Sequence, residues 1–257
     1  VANNGKVQVR PITAPQGWWR FRVLNSPNVA LSLKVFLEGA YDTGTGLMRD
    51  DLRVQGLIPL TEPYTAAGFT LVSNPTPSTT APVLAIAGNN AIVDWVLVEA
   101  RAALSPFGVL QSRTALVQRD GDVVATDGVS PVLFSLSAGS YHIAVRHRNH
   151  FGVMTENPVT LSVTTSSLDF TSAAFGNYGT EAQKTIGSLR ALRAGNVLRD
   201  ASLKYIGTSN DRDPILTAVG GTTPNNTAPG YLATDVNMDG VVKYTGASND
   251  RDIILVN

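Results

Sequence analysis

The sequence predicts a mainly β chain: a β-sandwich-type domain followed by a small α-helical module. Three observations carry this expectation. Between residues 83 and 165, short runs of β-branched and aromatic residues recur at roughly 8–12-residue spacing, the pattern of a sandwich. One of those runs closes on Asp120-Gly121, a strong hairpin signal. Near the C-terminal end, NVLRDASLKYIGTSNDRDPIL (196–216) recurs as DVNMDGVVKYTGASNDRDIIL (235–255), at a constant offset of 39 residues with 12 of 21 positions identical.

Taken in order, residues 1–32 form a strand-rich arm. Val7-Gln8-Val9-Arg10 alternates, Gly17 to Leu24 (GWWRFRVL) is a second strand-like run, and Asn25-Ser26-Pro27-Asn28 is a turn. The sandwich-like domain spans 33–165. It opens on a strand from Leu33 to Tyr41 ended by Gly39, followed by a turn at Asp42-Thr43-Gly44-Thr45-Gly46 and one helical turn between Met48 and Gly56. Five prolines from Pro59 to Pro82 then punctuate an irregular passage. Ala91–Arg101, Val109–Arg119, Val132–Leu136 and Tyr141–Arg148 read as strands. Residues 166–257 read as a linker with a short helix at 181–192, then the repeat pair. Each repeat ends in Ser-Asn-Asp-Arg-Asp before an apolar run, which predicts a capped helix.

Composition narrows the function classes. Net charge is zero and charged residues are 16%, against about 25% in typical chains. No basic patch points to nucleic acid, and no apolar run reaches the roughly 18 residues of a membrane helix. Arginine outnumbers lysine 15 to 5, which favours contacts made by a planar fork. The absence of cysteine leaves the redox compartment open. Val1 reads as a processed or trimmed end.

The second repeat opens Asp235-x-Asn237-x-Asp239-Gly240, the alternate-position oxygen spacing of a calcium loop, with glycine at the sharp bend. Asp235, Asn237 and Asp239 are the expected side-chain ligands and Val241 supplies the next carbonyl. Asp250 closes the shell, with Asp252 as the alternative. Asp250 falls at position 16 rather than 12, so residues 244–247 must bulge. In the first repeat Asn196 and Asp200 keep positions one and five, Ser202 stands at position seven, and Asn210 and Asp211 remain. Leu198 and Ala201 replace a ligand and the glycine, which leaves calcium binding and a pure packing role both open there.

Other constellations are weaker. All three histidines lie in YHIAVRHRNH (141–150). On a continuous strand His147 and His150 would face opposite sides, so hydrogen-bonded histidines at a strand end are expected. Asp94, among apolar neighbours, reads as a buried hydrogen-bonded carboxylate. No Gly-x-Ser-x-Gly elbow, phosphate loop or catalytic cysteine is present. Trp18-Trp19 suit packing better than sugar stacking.

The DVNMDG segment and its paired copy resemble the dockerin family, in which two calcium loops each lead into a helix. The insertion before Ser248-Asn249-Asp250-Arg251 departs from that family and argues against ordinary cohesin partnership. A broader resemblance is carried by KVFLEGAYD (34–42), GLMRDDLR (46–53), Ile58-Pro59, TEPY (61–64), IVDWV (92–96), QRDGD (118–122), AVRHRNH (144–150) and the KY-x-G…NDR repeats. These look like the C-terminal regions of secreted Bacteroidetes haemagglutinin-like or adhesin-like surface proteins associated with type IX secretion. Many such proteins end in a sorting domain; after Asn257 the expectation is that one was cleaved, trimmed or never present. The resemblance implies a secreted, extracellular, cell-surface location. The expectation is a non-enzymatic structural or adhesive protein with a calcium-stabilised module. Its sharper form is a self-assembling extracellular filament subunit whose partners are further copies or other surface proteins. The alternative is a carbohydrate-binding or accessory module of a secreted enzyme system, with a glycan as ligand.

Overall fold

The computed structural model describes residues 28–74 and 77–257, together with a short antiparallel ladder between Ile12–Thr13 (β1) and Trp19–Arg20 (β2). The strand expected at Val7–Arg10, most of the Gly17–Leu24 run and most of the 25–28 turn lie outside the described residues. The protein is mainly β, with 33% strand and 12% helix.

Nine strands join in one hydrogen-bonded sheet: Val29–Lys34 (β3), Ile92–Arg101 (β6), Val109–Gln118 (β7), Asp122–Val124 (β8), Val132–Phe134 (β9), Gly139–Arg146 (β10), Val153–Met154 (β11), Val159–Leu161 (β12) and Ser166–Asp169 (β13). The order is β11-β10-β6-β7-β8-β3-β13, with β12 also beside β10 and β9 also beside β3. All pairs are antiparallel except β13 on β3. Strand β6 carries apolar residues at both alternating sets of positions, and nine of its ten residues are buried. Such a strand needs cover on both sides.

Part of that cover is not strand. A hairpin of Tyr41–Asp42 (β4) and Leu47–Met48 (β5) leads into the one-turn helix Asp51–Val54 (α1), and a second short helix follows at Ala81–Leu84 (α2). Met48, Leu52, Ile58 and Tyr64 from this passage join Trp95, Leu97, Leu116, Phe134 and Ile143 in one apolar core. Tyr64 donates its hydroxyl to the Trp95 carbonyl (2.8 Å) and Trp95 Nε1 donates to the Pro59 carbonyl (2.9 Å), so both polar handles are satisfied.

Three sequence expectations are corrected. Strand β3 runs across the boundary drawn at residue 32, so the central sheet begins at Val29. The 166–195 segment is not a linker, because Ser166–Asp169 adds a parallel strand to β3. Residues 181–192 hold no helix: Gln183–Ile186 (β14) and Leu189–Leu192 (β15) form a hairpin around Gly187-Ser188. A two-residue Gly-Ser connection flanked by Thr185 and Ile186 is hairpin chemistry, which outweighs the weak helical periodicity there.

The tandem repeat folds as a pair. Each copy ends in a seven-residue helix, Arg212–Ala218 (α3) and Asp250–Val256 (α4), while Thr227–Pro229 (β16) pairs with Val241–Lys243 (β17) between them. Val197 and Ile215 of the first copy share a second apolar core with Val236, Val242 and Ile254 of the second. This pair docks on the sheet domain through backbone as well as side chains. Gly39 lies directly against the Val236 carbonyl, where an added Cβ would overlap the oxygen and meet the Val236 carbonyl carbon at 3.1 Å. Asn257 Nδ2 donates to Glu38 Oε2 (2.7 Å), which also accepts from the Ala194 amide (2.8 Å).

Gly39→Ala is expected to destabilise the protein by about 1–3 kcal/mol, because neither facing backbone can relax cheaply. Calorimetry of the variant checks this, and an unchanged melting temperature would contradict the close approach.

Candidate metal centre

The second loop folds around its own carboxylates. The Asp239 amide donates to Asp235 Oδ1 (3.1 Å) and the Gly240 amide to Asp235 Oδ2 (2.9 Å). Met238 (φ 59°) and Gly240 (φ 86°) take left-handed backbone to make that bend. The Asp239 amide is shared with Asn237 Oδ1 (2.8 Å), and the Val241 amide donates to Asp239 Oδ1 (2.9 Å). Asp250 reaches back from the start of α4: its Oδ1 accepts from the amides of Val236 (2.6 Å) and Asn237 (3.1 Å), and its Oδ2 from Lys243 (2.7 Å). Asp235, Asn237, Asp239 and Asp250 are thus brought together. Val241 begins β17, opposite Pro229.

Asp252 turns elsewhere. The Asp252 amide donates to Asn249 Oδ1 (3.0 Å) while Asn249 Nδ2 donates to Asp252 Oδ2 (2.8 Å), a reciprocal cap at the N-terminus of α4. The first copy repeats the arrangement 39 residues earlier. The Leu198 and Lys204 amides donate to Asp211 Oδ1 (3.0 Å) and Oδ2 (2.9 Å), Asn210 caps α3 against Asp213, and Arg199 (φ 61°) matches Met238. Asp200 accepts from the Ser202 amide (2.8 Å), as Asp239 does from Val241, and also from the Ser202 hydroxyl (2.9 Å), and is exposed. Asn196 Nδ2 donates to the Asp200 carbonyl (3.0 Å), and its Oδ1 is buried with no partner.

The donors of the second loop are all oxygens, which suits a hard cation. Burial pushes the Asp250 carboxyl up to about 7 and the Asp235 carboxyl up to about 6; repulsion from Asp235 adds to the first and from Asp239 to the second. The geometry is less complete. Among the described residues, no three Asp, Glu, His or Cys side chains gather within reach of one ion. Lys243 Nζ stands 3.2 Å from Asp239 Oδ2, where it supplies positive charge from the chain itself. The donor chemistry therefore fits calcium, while the loop holds its carboxylates with backbone amides and a lysine.

The sheet domain grips this same loop by its carbonyls. Arg49 Nη2 donates to the Asn237 carbonyl (2.7 Å) and to the Gly39 carbonyl (2.8 Å), Gln55 Nε2 to Asp239 (2.7 Å), and Asn149 Nδ2 to Asp235 (2.6 Å). Arg148 donates Nε to Asp94 Oδ2 (3.0 Å) and Nη1 to the Leu232 carbonyl, and lies 4.3 Å from the Tyr231 ring centroid. Tyr231 donates its hydroxyl to Asp94 Oδ1 (2.5 Å). These contacts join residues that the sequence places in separate modules. For Arg148 and Asn149 the one signal is the density of polar residues in Arg146–His150; Arg49, Gln55 and Tyr231 carry none.

His147 and His150 do not face opposite sides. Strand β10 ends at Arg146, so the alternation no longer applies, and the two rings meet at 3.0 Å between Nδ1 atoms. The Gly39 amide donates to His150 Nε2 (3.1 Å), which places the His150 proton on Nδ1, aimed at His147 Nδ1 and Asn149 Oδ1. His147 Nε2–H then donates to Asp94 Oδ2 (3.1 Å). Both rings are buried and neutral: burial lowers the His147 pKa and carries that of His150 well below its usual value. Burial alone would raise Asp94, but the Arg148 charge and the His147 and Tyr231 hydrogen bonds bring it down to about 2.

No helix among the described residues is long and apolar enough to cross a membrane. Comparison with protein families, characterised proteins and solved structures finds no match to this chain.

Acid is expected to unfold this junction. The unfolded histidines take up protons below about 6.5 and the buried ones do not, so the histidine contribution to stability is lost as pH falls past that value, opposed down to about 4 by the raised Asp235 and Asp250 carboxyls. A second loss follows as pH drops from about 4 towards 2, where folded Asp94 still resists protonation. Asp94→Asn strands the Arg148 charge and should cost about 3–5 kcal/mol at neutral pH. Denaturant melts of both proteins across pH check this, and a pH-independent midpoint would contradict it.

Proposed function

We propose that this chain is a non-enzymatic, secreted cell-surface protein of structural or adhesive role, with a dockerin-like tandem module that takes up calcium. One observation carries the calcium part: Asp235 and Asp250 are buried, each held by amides of the same loop, and raised to about 6 and about 7. A divalent cation relieves that cost, because it holds both carboxylates ionised. Asp235, Asn237, Asp239 and Asp250 would hold it, with the Val241 carbonyl; Asn196, Asp200, Ser202 and Asp211 form the poorer equivalent. The ion would add rigidity to a loop that amides already shape. The non-enzymatic reading is supported by the sealing of the Asp94–His147 pair, both side chains of which have zero exposure.

The sharper form of the proposal is assembly into an extracellular filament. Residues 1–28 precede the central sheet, and an alternating apolar arm of that kind can add a strand to a neighbouring copy. The alternative, a carbohydrate-binding accessory module, gains nothing from Trp95, which is fully buried. It is favoured instead by an arginine-lined cleft described below.

Calcium at about a hundred times its dissociation constant should raise stability by about 2.7 kcal/mol, and excess chelator should remove the gain. In calcium-free protein, the two raised carboxyls favour the fold below about 4, and that contribution is lost as pH rises through about 6 to 7. The calcium gain should grow over the same window. Asp239→Asn should weaken the response, while Asp252→Asn should leave it intact. Calorimetry with calcium and chelator tests both, and equal melting in the two conditions sinks the calcium reading. Deleting residues 1–24 should abolish any large particle seen by light scattering; unchanged size refutes the filament.

A further inference from the structure

Where the first loop meets the sheet domain, an open cleft of about 610 Å³ is lined by Phe69, Glu99, Arg101, Arg146, Leu198 and Arg199 among others. Its charge is unbalanced. Three guanidinium groups face one carboxylate, and no other charged side chain lines the cleft. Glu99 is buried and already paired: Arg101 Nε approaches its Oε2 at 2.9 Å, and Arg146 Nη1 lies 3.5 Å from its Oε1. Arg199 is exposed and makes no hydrogen bond or ion pair among the described residues.

Two of these cations share one ring. The Arg146 guanidinium lies 4.6 Å and that of Arg199 5.8 Å from the Phe69 centroid. Phe69 is itself fixed edge-on against buried Tyr64, at 5.1 Å. An aromatic surface holds guanidinium groups in place while leaving their N–H edges for an acceptor. Arg199 is also held by its backbone, because it occupies the left-handed bend of the first loop (φ 61°). The positive charge is therefore positioned before any ligand arrives, which limits the entropy lost on binding.

We propose that this cleft binds an oxyanion, a carboxylate or sulfate, carried on a body the size of one sugar ring. The guanidinium edges of Arg146 and Arg199 take the charged group in forked hydrogen bonds. The apolar wall at Leu198 covers a ring face, and the volume lies within the range of roughly 300–1,000 Å³ usual for small-ligand sites. The inference rests on the carbohydrate-binding reading for its choice of a saccharide, and it does not depend on calcium.

The full chain, at fixed calcium and low salt, is titrated with glucuronate, glucose 6-sulfate, inorganic sulfate and methyl glucoside, with amide NMR shifts as the readout. Saturable shifts at Phe69, Leu198 and Arg199 are expected for the two sugar acids. Methyl glucoside should produce none, inorganic sulfate should bind more weakly, and added salt should weaken all of them. Arg199→Asn, which tolerates the left-handed backbone, should lower affinity at least about tenfold. Arg146→Gln tests the second cation, with the unchanged shifts of the repeat core reporting that the variant is folded. No saturation by about 50 mM, a range weaker than millimolar binding, overturns the site, as does undiminished binding by folded Arg199→Asn. Equal affinity for inorganic sulfate overturns the saccharide. Because calcium is held constant, failure here leaves the calcium-dependent melting result untouched.

Discussion

The architecture depends on a buried positive charge. Arg148 lies two residues past the end of β10 and is 3% exposed, a position in which an unpaired guanidinium would cost several kcal/mol. Every partner that makes it tolerable comes from a different part of the chain: Asp94 from β6, and the Tyr231 ring and Leu232 carbonyl from the segment before the second loop. The sheet and the tandem repeat are therefore not independent folds joined by a linker. Separating them would take the Tyr231 ring and the Leu232 carbonyl from Arg148 and strip Asp94 of its hydrogen bond from the Tyr231 hydroxyl. The same logic explains the neutral histidines. With Arg148 already supplying the positive charge next to Asp94, a protonated His147 would add a second buried cation with no further acid to meet it.

The two repeats show what sets the loop backbone. The copies differ at the positions expected to hold metal, with Leu198 for Asn237, Asn196 for Asp235 and Ala201 for Gly240. Their shapes nonetheless agree at two bends: Arg199 and Met238 share a left-handed conformation, as do Ser209 and Ser248, while Gly240 is left-handed and Ala201 is not. What they hold in common is the later aspartate, Asp211 or Asp250, which accepts amide hydrogen bonds from both ends of its loop, and the Asn cap that starts each helix. Arg212 on Tyr205 and Arg251 on Tyr244 repeat as well, at 5.2 and 5.0 Å. The Asp-Arg-Asp stretch thus builds the loop from its far end, and the early carboxylates are left free to differ.

Much of this was legible in the sequence, and the gaps have physical causes. Strands β6, β7 and β10 were visible because alternation and β-branching act locally, and Asp120-Gly121 marked its turn for the same reason. The 39-residue period gave the paired helices directly. The hairpin at 183–192 was hidden because its residues suit both states and only the Gly187-Ser188 connection tips the balance. Strand β13 was hidden because Ser-Ser-Leu-Asp has almost no strand pattern; parallel pairing with β3 supplies its order from outside. Around the candidate metal centre, the acids could be read from spacing alone. Arg49, Gln55 and Asn149 could not, since a side chain that donates to a distant carbonyl leaves no periodic trace.

The sheet breaks the symmetry that the repeat creates, and that asymmetry assigns the two loops different roles under the proposed function. The second loop has its Asp235, Asn237 and Asp239 carbonyls clamped by Asn149, Arg49 and Gln55. An ion bound there would stiffen the contact between repeat and sheet, because the same backbone that holds the carboxylates also holds the interface. The first loop has Leu198, Arg199 and Asp200 exposed instead, and the left-handed residue Arg199 carries a guanidinium into an open cleft. A bracing loop needs acids and few exposed groups; a presenting loop needs a fixed backbone and an unpaired side chain. Replacing Met238 by its counterpart Arg199, and the acid at position one by Asn196, is what would be expected if the first copy kept the scaffold and gave up the ion. The two loops share the core of Val197, Ile215, Val236 and Ile254, so a bracing loop and a presenting loop sit on one packed unit while their sites stay separate.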